Sequence, residues 1–248
     1  DTVLVSLMHV NNETGVVQDI AAIGAICRRR EVLLHVDAAQ SAGRETIDVR
    51  AQQIDLLSLS AHKIYGPKGV GALFIDQQHV RRVAPLLFGG GQERGLRPGT
   101  VATHQVAGMG AAFRLAAQRL PDEARHVAAL RDRLWAGLQP LAGVLLNGPA
   151  RQRSGHILNV SITGVEGESL FYSLADLCVA SGSACTSLAN EASYVLRALG
   201  RPAALAQSSI RFSLGRQSTA AEVDFAIECV LRAVRHLRSF SPISVPGA

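Results

Sequence analysis

The sequence predicts an α/β protein with a second, smaller α+β domain. In the first half, short apolar runs typical of strands alternate with helical stretches. Near residue 120 the pattern changes, and Pro121 followed by two acidic residues has the composition of a new helix start. We therefore expect residues 1–120 to be the C-terminal part of a large domain, and residues 121–248 to form the small C-terminal domain.

The first half contains the elements of an open sheet. Asp19 suits a helix N-cap, because Ile20 and Ile23 then recur on one face of the helix that follows. We expect this helix to end near Arg30, and an alanine-rich helix to cover residues 105–120. Strands are predicted over residues 2–9, 32–36, 55–60 and 70–75.

The second half mixes helices with short strands. A helix starting at Pro121 carries an apolar stripe that runs to Leu138. Thr219 and Glu222 form a capping box at the start of a closing helix. Between the two helices, strands are predicted over residues 144–146, 157–162 and 210–214.

Composition excludes several classes of protein. The chain of 248 residues is 48% hydrophobic and 18% charged, as expected of a globular protein. Its net charge of +5 is spread along the sequence without interleaved aromatic residues, so we expect no nucleic-acid partner. No apolar run reaches the roughly 18 residues of a membrane span, and the start lacks the features of a signal peptide. We expect a cytoplasmic protein that does not bind membranes.

The four cysteines form no Cys-x-x-Cys pair, which argues against structural zinc and against a disulfide framework. Cys27, Cys178 and Cys229 lie in helical or apolar patterns, where a free cysteine is usually buried. Cys185 lies in a loop of small residues, 181–187, that would leave its thiol accessible. An ordinary loop thiol is the alternative.

Only two of the 25 basic side chains are lysines, Lys63 and Lys68, and both lie within residues 60–69. A lysine amine can lose its proton and attack a carbonyl, whereas a guanidinium cannot. Lys63 is therefore the first candidate for carbonyl chemistry. The alternative is that both lysines are ordinary surface residues.

Polar clusters follow three successive predicted strands, namely Asn11-Asn12, residues 37–40 and His62-Lys63. Ligands of open α/β sheets bind beyond the carboxyl ends of the strands, so we expect the three clusters to converge. The alternative is that each cluster merely begins a loop.

A lysine amine and a carboxylate at neighbouring strand ends suit pyridoxal 5'-phosphate. The amine can hold the aldehyde, and Asp37 can pair with the pyridinium nitrogen. Ser60 and His62 can donate hydrogen bonds to the phosphate, while Asn12 and Gln40 can reach the phenolic oxygen of the ring.

Other motif interpretations are weaker. Residues 66–71 contain no Gly-Lys-Ser/Thr and precede a strand, unlike a nucleotide-binding loop. Residues 89–91 are better explained as a backbone turn at a subunit contact than as a phosphate cradle. His9, His35 and His62 lack the spacing of a metal site.

Five stretches of this sequence resemble the cysteine desulfurases of the housekeeping iron–sulfur-cluster type, within the class V aminotransferase family. The resemblance extends over essentially the whole chain and implies a fold-type I, pyridoxal-phosphate-dependent homodimer. Such an enzyme takes sulfur from L-cysteine and leaves L-alanine. The stretches are residues 8–15, 35–41, 58–69, 181–187 and 208–213.

The resemblance also implies roles for individual residues. Lys63 would be the Schiff-base lysine and Cys185 the persulfide nucleophile. Arg211 would clamp the substrate carboxylate, with Asn12 contacting both ring and substrate. Thr100 would reach the phosphate of the other subunit. The remaining cofactor contacts would be Asp37 to the pyridinium, Gln40 to the ring, and Ser60 and His62 to the phosphate.

The implied partners are an iron–sulfur scaffold or other sulfur acceptors, and Cys185 would be a possible cluster ligand during transfer. Relative to the family, we expect this chain to be the C-terminal part of a longer enzyme, without the N-terminal phosphate loop and ring-stacking histidine and with a shortened docking tail. The alternatives are a non-catalytic interaction or dimerisation fragment, or a related lyase or aminotransferase such as selenocysteine lyase.

Overall fold

The computed structural model describes residues 1–181 and 192–240, and the chain divides into two compact units. The first unit comprises Asp1–Val10 and Gln18–Leu120. The second comprises Asn11–Val17 and Pro121–Ala248. The segment Asn11–Val17 therefore groups with the C-terminal half, although it follows the first strand directly.

The first unit contains a four-stranded mixed sheet in the order β1-β2-β3-β4. β1, β2 and β3 are parallel, and β4 runs antiparallel to β3. All four strands lie within the stretches that the sequence predicts, or one residue beyond them. Their bounds are Leu4–Met8, Leu33–Asp37, Leu56–Ser60 and Gly71–Ile75.

Helix α1, Ile20–Arg29, packs against this sheet. The predicted cap is confirmed, because the carboxylate of Asp19 accepts a hydrogen bond from the backbone N–H of Ala22 at 3.0 Å. Gly24 allows α1 to approach the next loop closely, since a Cβ atom there would collide with the carbonyl oxygen of Gln52. The core of this unit includes Ile20, Cys27, Leu34, Val36 and Leu57.

Helix α2 runs without interruption from Thr103 to Leu138, with Pro121 inside it. The prediction of two helices divided at Pro121 is wrong in this respect. A proline in a helix interior costs about 3 kcal/mol because it lacks an N–H and crowds the preceding turn. Buried residues on both sides, such as Ala116 and Leu134, offset this cost by packing in their respective units.

The second unit contains an antiparallel sheet in the order β5-β6-β8-β7. The three predicted strands are confirmed, and the two-residue strand β7 is additional because a run so short has no detectable period. Six buried residues in a row make β6 the centre of the core. The bounds of β5 to β8 are Val144–Leu146, Ile157–Ile162, Ala180–Ser181 and Ser209–Ser213.

Four helices complete the described part of the second unit. The predicted capping box at Thr219 and Glu222 is confirmed at the start of the last helix. Val223, Val230 and Val234 of that helix pack in the core together with β6 and β8. The helices are α3 (Gly167–Tyr172), α4 (Tyr194–Ala198), α5 (Ala203–Gln207) and α6 (Ala220–Ser239).

Two of the cysteine predictions are confirmed and one is wrong. Cys27 and Cys229 are buried, whereas Cys178 is exposed. Its neighbours Leu177 and Val179 pack against the core, whereas the side chain of Cys178 between them lies on the surface. Among the described residues, no helix combines the length and the apolar character needed to cross a bilayer.

Candidate active site

Asp37 is the last residue of β2, where the sheet register pairs it with Met8 of β1 and Ser58 of β3. Its Oδ1 atom accepts the backbone N–H of Ala39 at 2.9 Å, which fixes the carboxylate at the strand end. The side chain is exposed and therefore accessible to a ligand. Gln40 lies half-buried in the turn that follows.

Lys63 lies in a short 3₁₀ helix, Ala61–Ile64, that directly follows β3. Ala61 and Ile64 are buried and anchor this turn in the protein interior. Arg44 also holds the turn in place, because its Nη2 atom donates to the carbonyl oxygen of Lys63 at 2.8 Å. The backbone of Lys63 is thus fixed while its side chain remains half-exposed.

The chain leaves the lysine turn through a tight bend. Tyr65 takes the left-handed conformation with φ of 67°, and the N–H of Gly66 donates to the carbonyl of Ala61 at 2.9 Å. A Cβ atom at Gly66 would lie 2.9 Å from that same oxygen and 3.2 Å from the Cβ of Ala112. Only glycine fits here without a shift of its neighbours.

Ser60 and His62 flank the start of the same turn. The Oγ atom of Ser60 lies 2.9 Å from Nδ1 of His62, so the two side chains form a hydrogen-bonded pair next to Lys63. A hydroxyl, an imidazole and an amine within four residues can bind an anion such as a phosphate. With the carboxylate of Asp37 on the neighbouring strand, the donor set fits pyridoxal phosphate.

Thr100 lies in an exposed loop of the first unit, before α2. Arg97 braces this loop by donating to the carbonyl oxygens of Pro98 and Gly99 at 3.0 and 3.2 Å. Gly99 has φ of +98°, a conformation that favours glycine. The loop therefore presents Thr100 at the surface.

The structure groups Asn12 and Arg211 in the second unit. Arg211 lies on β8, paired with Asn159 of β6 and Ala180 of β7. Its Nη1 atom donates to the carbonyl oxygen of Asn12 at 3.0 Å. The first unit thus contains Asp37 and the lysine turn, and the second contains the arginine and the asparagine.

Glu13 is a residue to which the sequence assigns no role, yet it is buried beside Arg211. The hydroxyl of Ser193 donates to its Oε2 atom at 2.5 Å. Burial raises the pKa of Glu13, while the bond from Ser193 and the charge of Arg211 act to lower that pKa. No local pattern in the sequence identifies Glu13, because its burial depends on Ser193, which lies 180 residues further along the chain.

Buried amides support this part of the second unit. Asn147 and Asn159 are fully buried, and Nδ2 of Asn147 donates to Oδ1 of Asn159 at 2.7 Å and to Oγ of Ser161 at 2.8 Å. Arg201 donates to Oδ1 of Asn147 at 2.8 Å. Because each buried amide has partners, Asn159 is held rigidly on β6.

Cys185 lies outside the described residues, and so does its predicted role as a nucleophile and cluster ligand. Within residues 1–181 and 192–240, no three side chains of His, Cys, Asp or Glu form a group that could hold a metal ion.

Comparison with known proteins shows the family of the chain. The family model described as aminotransferase class-V matches residues 1–225. The chain belongs to the class-V aminotransferase family. Cysteine desulfurase IscS of Aeromonas salmonicida is 56% identical to it over 243 residues, which cover 98% of this chain and 60% of that protein. The same enzyme of Vibrio cholerae is 57% identical over 243 residues, with the same coverage.

Among solved structures, a NifS-like protein from Rickettsia africae aligns with a TM-score of 0.87 and 30% identity, covering 94% of this chain and 62% of the other. The predicted α/β, fold-type I architecture of this class-V aminotransferase is confirmed by that likeness. The chain spans about 60% of the length of the curated relatives that it matches.

Proposed function

We propose that this class-V aminotransferase chain carries the chemistry of a cysteine desulfurase, which takes sulfur from L-cysteine with pyridoxal phosphate and leaves L-alanine. The observation that carries the proposal is the fixed turn after β3, which presents one of only two lysines beside the Ser60–His62 pair. The curated relatives bearing that name support the same assignment.

Bound pyridoxal phosphate supplies an electron sink that accepts the electron pair of a bond next to the amino carbon. Lys63 would hold the aldehyde of the cofactor, and its free amine would move protons. Asp37 would pair with the pyridine nitrogen of the cofactor and keep it protonated. The hydrogen-bonded Ser60 and His62 bind the phosphate. Gln40 and Asn12 contact the ring.

Arg211 binds the carboxylate of the substrate. One donor of its guanidinium is taken by the carbonyl of Asn12, and the fork geometry of the group leaves further donors for a carboxylate. A fixed guanidinium on a central strand orients L-cysteine by its carboxylate. Asn12, through its side chain, is the second substrate contact.

Cys185 receives the sulfur. Its thiolate attacks the substrate sulfur, so that a sulfur–sulfur bond forms while the bond between sulfur and the substrate Cβ breaks. The electron pair of the broken bond stays on the carbon, which takes up a proton. L-cysteine and the enzyme thiol thereby become L-alanine and an enzyme persulfide. A scaffold for iron–sulfur clusters, or another acceptor protein, then takes the sulfur.

The working form is a homodimer, in which Thr100 reaches the phosphate bound by the partner subunit. Leu86 and Phe88 support this part of the proposal, because they are 95% and 87% exposed in the single chain and a partner would cover them. The cytoplasm is the proposed location, in keeping with cysteines that form no paired motif.

The assignment of Lys63 is tested by borohydride reduction of the cofactor-loaded protein followed by peptide mapping. We expect the pyridoxyl label on Lys63, its loss in Lys63→Ala, and its retention in the matched variant Lys68→Ala. A label on Lys68, or on both lysines equally, would overturn the assignment. A folded chain in its full natural length that takes up no cofactor would favour a non-catalytic fragment instead.

The assignment of Cys185 is tested by comparing Cys185→Ser with Cys178→Ser, because the thiol of Cys178 is exposed and has no proposed role. We expect the first variant to keep the cofactor absorbance and lose sulfide release, and the second to keep both. Normal turnover by Cys185→Ser would point to a lyase or aminotransferase that needs no persulfide.

A further inference from the structure

Glu13 and Ser193 form a long-range contact, since a carboxylate and a hydroxyl 180 residues apart meet in a buried site of the second unit. Glu13 is 8% exposed and Ser193 is 4% exposed. Burying a carboxylate is costly unless it is paired and hydrogen-bonded. This carboxylate has no part in the proposed chemistry, so its burial points to another role.

The turn that carries Glu13 is held at several points. Oδ1 of Asn11 accepts the backbone N–H groups of Glu13 and Thr14 at 3.0 and 2.9 Å, which closes the turn on itself. Asn159 donates to the carbonyl of Glu13 at 3.0 Å and ties the turn to β6.

The same turn holds the guanidinium of Arg211. The carbonyl of Asn12, one residue before Glu13, accepts the hydrogen bond from Nη1 at 3.0 Å. Any movement of the turn therefore moves the acceptor that orients Arg211. Arg211 also lies close enough to Glu13 for its positive charge to act to lower the pKa of Glu13.

We propose that Glu13 is a positioning residue for Arg211. Its hydrogen bond with Ser193 fixes the Asn12–Glu13 turn, and the turn fixes the guanidinium through the carbonyl of Asn12. The role rests on the proposed function, in which Arg211 binds the carboxylate of an amino acid. Glu13 itself touches neither substrate nor cofactor in this assignment.

The experiment uses the cofactor-loaded protein in its full natural length and measures the Kd of L-alanine from the change in cofactor absorbance. Glu13→Ala removes the acceptor of the Ser193 hydroxyl, and we expect the Kd to rise about tenfold, a typical coupling effect. The KM for L-cysteine should rise by a similar factor while kcat changes less than about threefold, the pattern of lost uniform binding.

Glu13→Gln is the conservative variant, because its amide oxygen can still accept from Ser193 while the charge is gone. We expect its Kd to stay within about twofold of the unchanged protein, since the hydrogen bond is kept. If Glu13→Gln binds L-alanine as weakly as Glu13→Ala does, Glu13 does not act through its hydrogen bond and the turn. Unchanged Kd and KM values in Glu13→Ala would also overturn the proposal.

A second variant covers the case in which Glu13→Ala does not fold. Ser193→Asp preserves the N-cap of α4, where Ser193 accepts the N–H of Leu196, but places a second carboxylate against Glu13. We expect a raised Kd for L-alanine in this variant and an unchanged one in Ser193→Thr, which keeps the hydroxyl. Equal Kd values in the two would contradict the proposal.

Different results would contradict the proposed function and the role of Glu13. A protein that takes up pyridoxal phosphate but whose absorbance responds to neither L-cysteine nor L-alanine contradicts the function. A protein that binds both, and that loses no affinity in Glu13→Ala, contradicts only the role of Glu13. The exposed Glu168→Ala serves as the carboxylate control and should match the unchanged protein.

Discussion

Arg44 donates from its Nη2 atom to the carbonyl oxygen of Lys63 across 2.8 Å. The arginine follows β2 and the lysine follows β3, so this bond braces the lysine turn from the neighbouring connection. The proposed role of Lys63, which is to hold and release an aldehyde, benefits from a rigid backbone because freedom is then confined to the side chain.

Replacing Arg44 with leucine should loosen the lysine turn. The partly buried carbonyl of Lys63 loses its partner, and we expect the free energy of unfolding to fall by about 1–2 kcal/mol in urea titrations. Borohydride labelling of Lys63 should also slow. Arg125→Leu is the control, since the ion pair of Arg125 with Asp122 is exposed and should contribute less than about 1 kcal/mol. Equal losses in the two variants would contradict the bracing role.

Alanine at Gly66 should destabilise the bend after Lys63. The new Cβ would lie 2.9 Å from the carbonyl oxygen of Ala61, and we expect a loss of about 1–3 kcal/mol, typical of overpacking. Gly110→Ala is the matched control, because a Cβ atom added there would meet no other atom within 4 Å and alanine favours the helix by about 1 kcal/mol. If Gly66→Ala has a higher melting temperature than Gly110→Ala, the new Cβ atom at residue 66 is not crowded.

Removal of the Ser41 hydroxyl should stabilise the protein. Ser41 is fully buried, and its Oγ atom has no hydrogen-bond partner among the described residues. We expect Ser41→Ala to gain about 1 kcal/mol, because an unsatisfied buried hydroxyl is costly. Ser154→Ala should instead lose about 1 kcal/mol, since the Oγ atom of Ser154 pairs with Nδ1 of His156 at 2.6 Å. Chemical denaturation of the two variants measures whether stability rises in the first and falls in the second.

Glu13 and Glu166 should affect the pH dependence of stability in opposite directions. Burial raises the pKa of Glu13 above 4.5, so the folded state binds its proton more tightly and the stability contributed by Glu13 falls as pH rises from 4.5 through the folded pKa. Hydrogen bonds from the side chain of Ser169 and then from the backbone N–H groups of Ser169 and Glu168 lower the pKa of Glu166. Its stabilisation is present above pH 4.5 and is lost as pH falls through the folded pKa.

These signs can be measured by unfolding Glu13→Gln and Glu166→Gln between acidic and neutral pH. The stability of Glu13→Gln relative to the unchanged protein should increase as pH rises. That of Glu166→Gln should decrease over the same interval. If the relative stability of both variants changed in the same direction with pH, the described environments of Glu13 and Glu166 would be contradicted.

Polar substitutions of Leu86 and Phe88 should weaken the proposed homodimer. Both side chains are almost fully exposed in the single chain, and a subunit interface that covers them loses apolar contact when they become serine. We expect light scattering to show a shift from dimer towards monomer. Serine at Tyr172, which is 77% exposed outside this segment, should leave the association state unchanged. A dimer that persists with both substitutions would remove this segment from the interface.

Local patterns in the sequence determined most of the secondary structure. The Asp19 cap, the Thr219–Glu222 capping box and seven of the strands follow from spacing and residue type, because these signals act within a few residues. The lysine turn was also identifiable, since Lys63 stands out in a chain that otherwise uses arginine.

Only the tertiary structure decided the environments that distant contacts create. Pro121 remains inside a continuous helix because packing on both sides outweighs the local penalty, and Cys178 is exposed although its run is apolar. The grouping of Asn11–Val17 with the C-terminal half depends on contacts with distant residues, and Glu13 is buried against Ser193, 180 positions away. No periodicity encodes such contacts, because burial and hydrogen bonding over that separation arise only when the chain has folded.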